Sequence, residues 1–234
     1  FADNLRLMKE LADILRNMKI ARGYIEFEST EAKILVDEKD RPTDIVLRYQ
    51  GAGENLIEDF MIAANETVAE YNYYRNLPSI YRVHSEPDQI RWRKFIEFIN
   101  LHGHKIVGKK GKKVTAKFLQ DILKQLADCD DAKIINDLAI RTQAKAIYSE
   151  ENIGHFGLGS NCYAHFTSPI RRYPDLTLHR LIKDYMGTYN SAIIEKWEKA
   201  LPIIAEHCSV KEQDAVKCER DVEKMKKCEY MENH

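Results

Sequence analysis

The chain has 234 residues, 44% of them hydrophobic and 31% charged. That is too apolar for a disordered tail, too interrupted for a membrane span, and enough for one or two cores at roughly 100 to 200 residues each. Thirty-six basic against 37 acidic side chains leave a formal charge of -1, which excludes holding nucleic acid by counterion release across a uniformly basic surface. Any nucleic acid must be gripped locally.

The opening FADNLRLMKELADIL has neither a basic n-region nor an apolar h-region, so neither secretion nor membrane insertion is expected. Five widely spaced cysteines without a C-x-x-C pair suggest neither a disulfide framework nor a zinc site and fit a reducing cytoplasm. Phe1 in place of a methionine, opening directly onto an amphipathic pattern, reads as the edge of a piece of a longer polypeptide.

Leu5, Met8, Leu11, Leu15 and Met18 share one helical face, with Asp3 or Asn4 as the N-cap and Gly23 as the stop. The period then changes: YIEF, KILV from Lys33 to Val36 and DIVL from Asp44 to Leu47, with DEKDRP as a turn, predict a small antiparallel element. Ile57, Phe60, Met61, Ala64, Val68 and Tyr71 predict a core-facing helix that ends before Asn76 and Pro78. A helix over Gln89 to Leu101 follows, then a glycine- and lysine-rich loop, then a helix capped by Thr115. Ile134, Leu138 and Ala139 predict another reaching about Ile147. Ser149 to Thr167 reads as loop or strand. Pro174 opens a helix with Leu178, Leu181, Ile182 and Tyr185 on one face and Gly187 at its end. Ser209 and Glu212 have capping-box spacing, so a last helix is predicted to start there and pack on one side only. The fold class is α+β, helix-rich with a few short antiparallel strands.

The run HFTSPIRRYPDLTLHR, His165 to Arg180, carries the most specific signal. Arg171 and Arg172 follow the rigid Pro169 and the hydroxyls of Thr167 and Ser168. A guanidinium matches a phosphate bidentately, so a phosphate-reading turn is one use. Ion pairing with Asp175 to hold the turn is the other. Ser168 lacks a histidine and acid pair in a recognisable order and is not read as a nucleophile.

This run resembles the signature of the ribonuclease R and ribonuclease II family, the RNB-domain exoribonucleases, more closely on the ribonuclease R side. RGYIEF, LIEDFMIAANETVAE, LPSIYRVHSEPD, YSEENIGHFGLG and HCSVKEQDAVKCER look like the family in the same order, so the resemblance spans nearly the whole chain. It implies magnesium-dependent removal of single nucleotides from the 3′ end of single-stranded RNA by two-metal chemistry. It also implies that residues 1–234 are the distal part of the RNB catalytic domain. The family's metal-binding aspartates are expected upstream of Phe1 and its oligonucleotide-binding barrels on either side. No metal ligand is assigned within the chain, and the isolated chain is expected to be inactive. Asp128, Asp130 and Asp131 in LADCDDAK imitate the aspartate cluster but read as a turn between helices.

By position the resemblance makes Arg171 the transition-state stabiliser and Arg172 the second choice. Glu58 falls near the 3′-terminal ribose, or is an ordinary helix glutamate; Phe27 is a base-stacking clamp or a core residue. Tyr163, His165 and Tyr173, with Thr167 and Ser168, line the RNA channel or fill the core. Lys109, Lys110, Lys112 and Lys113 steer a phosphate backbone or form a solvated loop. Single-stranded RNA is the expected partner, with no membrane and no obligate protein partner readable. The alternatives are a non-catalytic single-stranded RNA-binding module and a structural helical protein whose arginines serve only ion pairs.

Overall fold

A computed structural model describes residues 1–25, 31–106, 114–187 and 190–232. Phe27 and the lysines of the 107–113 segment lie outside the described residues. No helix among those described is long and apolar enough to cross a membrane.

Helix α1, Ala2–Ala21, packs on α2, Ala52–Tyr74. Neither Asp3 nor Asn4 caps α1: Phe1 holds that position without a side-chain bond. Asp3 instead lies in the first turn, where a carboxylate suits the helix dipole, and pairs with Arg6 at 3.2 Å. Ala12 and Lys19 are the buried residues of α1, whereas Leu5 and Met18 are exposed. The apolar row of α1 therefore does not supply the core.

In α2 the buried row is Asp59, Ile62, Asn65, Ala69 and Asn72. The predicted stripe lies a fraction of a turn away. Three of these five buried residues are polar, and each has a fixed partner: Asp59 pairs with Arg16 and Lys19, Asn65 bonds Tyr163, and Asn72 bonds Ser79. A hydropathy period cannot see such partners, because paired polar groups are buried at little net cost.

The predicted hairpin forms as β1, Glu31–Val36, against β2, Pro42–Arg48, with Ile34 opposite Ile45. Asp37 Oδ1 accepts from the backbone N–H groups of Lys39 and Arg41, and Asp40 takes φ +57°, which aspartate tolerates in turns. Of YIEF, Tyr24 and Ile25 are outside any strand. A second pair joins β3, Tyr81–Val83, to β4, Ile147–Ser149.

Helices α3, Gln89–Leu101, α4, Ala116–Gln125, and α5, Ala132–Thr142, gather a core around Phe95, Ile99, Leu119, Ile122 and Ile135. Thr115 caps α4 as expected, its Oγ accepting from Phe118 N at 3.2 Å. The three aspartates of LADCDDAK form the turn from α4 to α5. Helix α5 stops at Thr142, short of Ile147, because Gln143 turns extended and Ile147 is taken into β4.

The other core joins β3, β4 and α6, Tyr173–Met186, to α7, Ser191–Glu232, through Ile80, Val83, Leu178, Leu181 and Leu201. Pro174 lies in the first turn of α6 and Gly187 ends it. Helix α7 is continuous over 42 residues with Pro202 inside it, so the predicted start at Ser209 is wrong. Ser209 Oγ accepts from Tyr148 N at 2.9 Å, and Glu212 pairs with Arg82 at 2.6 Å. The two residues with capping-box spacing serve β4 and β3 instead.

Gly23 brings the end of α1 against α4 at φ +103°, and a Cβ built there would lie 2.5 Å from the backbone N of Lys117. Only glycine fits, on both counts. Gly23→Ala is expected to destabilise the chain by about 2 kcal/mol or more; an unchanged denaturation midpoint would show that α1 and α4 separate freely.

Candidate nucleic-acid interface

The signature segment leaves β4 through an irregular stretch with a short 3-10 turn, Phe156–Leu158, and enters α6 at Tyr173. Two buried side chains fix its path. Asn65 of α2 accepts from the backbone N–H groups of Phe166 and Thr167 at 2.9 and 3.2 Å, and donates to the Tyr163 hydroxyl at 3.0 Å. Asp175 of α6, wholly buried, accepts from Ser168 N at 2.8 Å and from an Arg172 terminal nitrogen at 2.7 Å, both on Oδ1.

The arginine pair is thereby divided. Arg172 is tied to Asp175 as a strut of the turn. Arg171 is exposed, and its side chain has no ion pair or hydrogen bond among the described residues. Both uses of guanidinium foreseen in the sequence thus remain in play, one per residue, with Arg171 the one available to a ligand.

Two cavities flank this turn. One, of about 570 Å³, lies between α2 and the signature and is lined by Ile57, Glu58, Met61, Tyr163, Thr167 and Arg172. Part of the apolar stripe of α2 therefore faces a cleft. The other, of about 650 Å³, opens between the signature and α7, with Tyr148, Arg171, Arg172, Tyr173, His207 and Lys211 among its walls. Arg172 borders both. Of the residues singled out from sequence, Glu58, Tyr163 and Thr167 share the first cavity, while Arg171 and Tyr173 share the second. Ser168 and His165 line neither.

Glu58 is held on three sides. Its Oε1 accepts from Tyr24 OH at 3.2 Å and lies 3.4 Å from Lys19 Nζ, and its Oε2 accepts from Gln50 at 2.6 Å. Lys19, itself buried, also pairs with Asp59 Oδ1 at 2.9 Å, while Arg16 takes Oδ2. Nothing in the helical periodicity of α1 marks Lys19 as buried; only its spacing from Arg16 on one face hints at it.

Behind the signature, rings meet edge to face in the order His84, His155, Tyr163, His165 and Tyr148, with centroids 5.1 to 5.8 Å apart. Gly157 N donates to His84 Nδ1 and His84 Nε2 lies 2.9 Å from the carbonyl of Ala144, which assigns the neutral Nε2–H tautomer. Burial pushes His155 down to about 3, helped by His84 and Arg82, and His165 down to about 2, helped by Arg172 and Arg82. His84 is lowered for the same reason. Tyr148 OH and His165 Nδ1 are 2.9 Å apart, and burial raises Tyr148 to about 12.

Among the described residues no group of three or more His, Cys, Asp or Glu is placed to hold a metal ion. The carboxylates lining the two cavities are committed, Glu54 to Arg48 and Gly51 N, Glu58 to Lys19, Tyr24 and Gln50, and Glu212 to Arg82, as are Asp59 to Arg16 and Lys19 and Asp175 to Arg172 and Ser168. These residues do not fit a magnesium site.

A model described as the RNB domain matches residues 1–188. The chain belongs to the RNB family. It is 45% identical over its whole length to ribonuclease R 1 of Lactococcus lactis, covering 28% of that protein. It is 44% identical to ribonuclease R of Thermotoga maritima, covering 33% of it. Among solved structures, RNase R of Mycoplasma genitalium in complex with ribose methylated single-stranded RNA superposes with a TM-score of 0.91 at 30% identity, over 98% of this chain and 36% of that one. The chain thus spans about a third of the length of the RNB proteins it matches, and the α+β fold expected of the family is the one found.

The histidines of this row, His84 buried and His155 and His165 half-buried, set a pH dependence. Their folded-state values lie below the ordinary 6.5, so the unfolded chain takes up protons first as pH falls. The stabilisation is complete above about pH 6.5 and is lost as pH falls toward the folded-state values. At pH 5 each histidine that stays neutral costs about 2 kcal/mol. With His155 and His165 both held neutral, the melting temperature is expected to drop by roughly 10 °C between pH 7.5 and pH 5. A flat profile over that range would mean that the rings protonate freely in place.

Proposed function

We propose that the chain is the distal part of the RNB catalytic domain of a magnesium-dependent exoribonuclease. The enzyme hydrolyses single-stranded RNA from the 3′ end to nucleoside monophosphates in a reducing cytoplasm. Oligonucleotide-binding barrels and the metal-binding aspartates belong to other parts of that longer protein. Membership of the family, together with relatives named ribonuclease R, supports the activity. The five free cysteines support the compartment.

The observation that carries the reading is Arg171, an exposed guanidinium without a partner among the described residues, on a turn made rigid by Asp175, Arg172 and Ser168, at the edge of a cavity. Cleavage of the terminal phosphodiester builds negative charge on the phosphoryl oxygens, and a preorganised cation there stabilises the transition state. Magnesium would be held by aspartates outside these residues and would supply an activated water there. What this chain does is orient the linkage: Arg171 faces the phosphate, and Glu58 accepts from a hydroxyl of the terminal ribose across Arg172. Tyr163, Thr167 and Tyr173 shape the walls. His165 and Ser168 act from behind the turn, through Tyr148 and Asp175.

A second reading is a single-stranded RNA-binding module without catalysis, in which the exposed Arg171 on its braced turn only holds the strand. Incubating the chain with labelled single-stranded RNA and magnesium separates the two, since binding without mononucleotide release favours the module.

In the complete enzyme, Arg171→Ala is expected to lower turnover by about 10²-fold or more while RNA affinity changes little. Turnover equal to the parent would remove Arg171 from the reaction. Arg172→Ala should behave differently, because it strands the buried Asp175 carboxylate. A stability loss of about 3 kcal/mol is expected by chemical denaturation, and its absence would mean that Asp175 is held by Ser168 alone.

A further inference from the structure

We propose that Lys19 and Tyr24 are positioning residues that aim the carboxylate of Glu58 so that a single acceptor site is left open for a ribose hydroxyl. This rests on the proposed role of Glu58 and adds how that role is set.

An ionised carboxylate offers about four lone-pair sites. Tyr24 OH and the Lys19 ammonium fill the two on Oε1, and Gln50 fills one of the two on Oε2. One site remains, on the oxygen away from α1. A carboxylate free to rotate would accept from one hydroxyl, two, or water without preference. Clamped on three sides at the wall of the cavity shared with Arg172, it accepts one hydrogen bond in one direction.

The clamp is built to hold. Lys19 is only 3% exposed, pairs with the equally buried Asp59 at 2.9 Å, and its ammonium lies 3.9 Å from the centre of the Tyr24 ring. Breaking such a buried pair is costly, so the ammonium stays beside Glu58. Tyr24 is set in turn by Gly23, whose close approach to Lys117 brings the chain against α4, and by Gln120 of α4, which donates to the carbonyl of Tyr24 at 2.7 Å. The aim of one carboxylate on α2 is thus fixed from α1 and α4.

The test compares the complete enzyme with Tyr24→Phe, Lys19→Arg, Lys19→Met and Glu58→Ala variants. Each is given oligonucleotides ending at the 3′ side in a ribonucleotide or a 2′-deoxyribonucleotide, with KM and kcat measured separately and thermal melts as a fold control. Tyr24→Phe keeps every charge and removes one hydrogen bond to Glu58. It is expected to erode the preference for the ribose terminus by about 10-fold, mainly in KM, with the melt unchanged. Lys19→Arg should retain more of the preference than Lys19→Met. Adding Tyr24→Phe to Glu58→Ala should cause no further loss. If Glu58→Ala abolishes discrimination while Tyr24→Phe and a folded Lys19→Met leave it intact, Glu58 needs no clamp and the proposal is overturned. If Glu58→Ala itself leaves discrimination unchanged, the ribose role fails and the proposal fails with it.

Discussion

The acceptance of two hydrogen bonds by one oxygen of Asp175 is the constraint on which the site depends. A carboxylate with no solvent exposure is expensive unless it is paired and hydrogen-bonded, and Asp175 meets both conditions with groups of its own segment, Ser168 N and Arg172. The backbone from Ser168 to Arg172 is therefore bent back onto the first turn of α6. The bend commits one guanidinium to the fold and leaves its neighbour facing outward. Two adjacent arginines of identical chemistry acquire different roles from a single acid three residues beyond the second.

Asn65 does for the preceding stretch what Asp175 does for the turn. With one side-chain oxygen it takes two consecutive backbone N–H groups of the signature, and with its amide it takes Tyr163. The irregular segment thus has its polar backbone satisfied without belonging to a sheet. Together Asn65 and Asp175 fix the segment that separates the two cavities, one toward α2 and one toward α7.

Much of this was legible in the residues. The Ser168 to Asp175 string marked the turn, its proline and the competition for Arg172. The Lys33 to Leu47 alternation marked the hairpin, and Thr115 marked the start of a helix. What was not legible depended on partners distant in sequence. Asn65, Lys19 and Asp59 are polar residues whose burial follows from contacts 40 or more residues away, and no local period reports them. Ser209 and Glu212 have a cap's spacing, yet β3 and β4 claim both side chains. The stop of α5 at Thr142 follows from the pairing of Ile147 with Val83, again a long-range cause. The proposed place of Arg171 at a phosphate comes from resemblance, and the fold adds to it a side chain without a competing partner among the described residues.

Helix α7 is anchored to the body at Ser209 and again at Lys226, which donates to the Asp40 carbonyl of the hairpin at 2.5 Å. Between these anchors it crosses about 25 Å at 1.5 Å per residue with most of its surface in water. A stretch so placed behaves as a beam supported at both ends: its stiffness comes from its own ladder and from local ion pairs such as Lys211 with Asp214, which salt weakens. This span links the hairpin to the body, and the link softens as ionic strength rises.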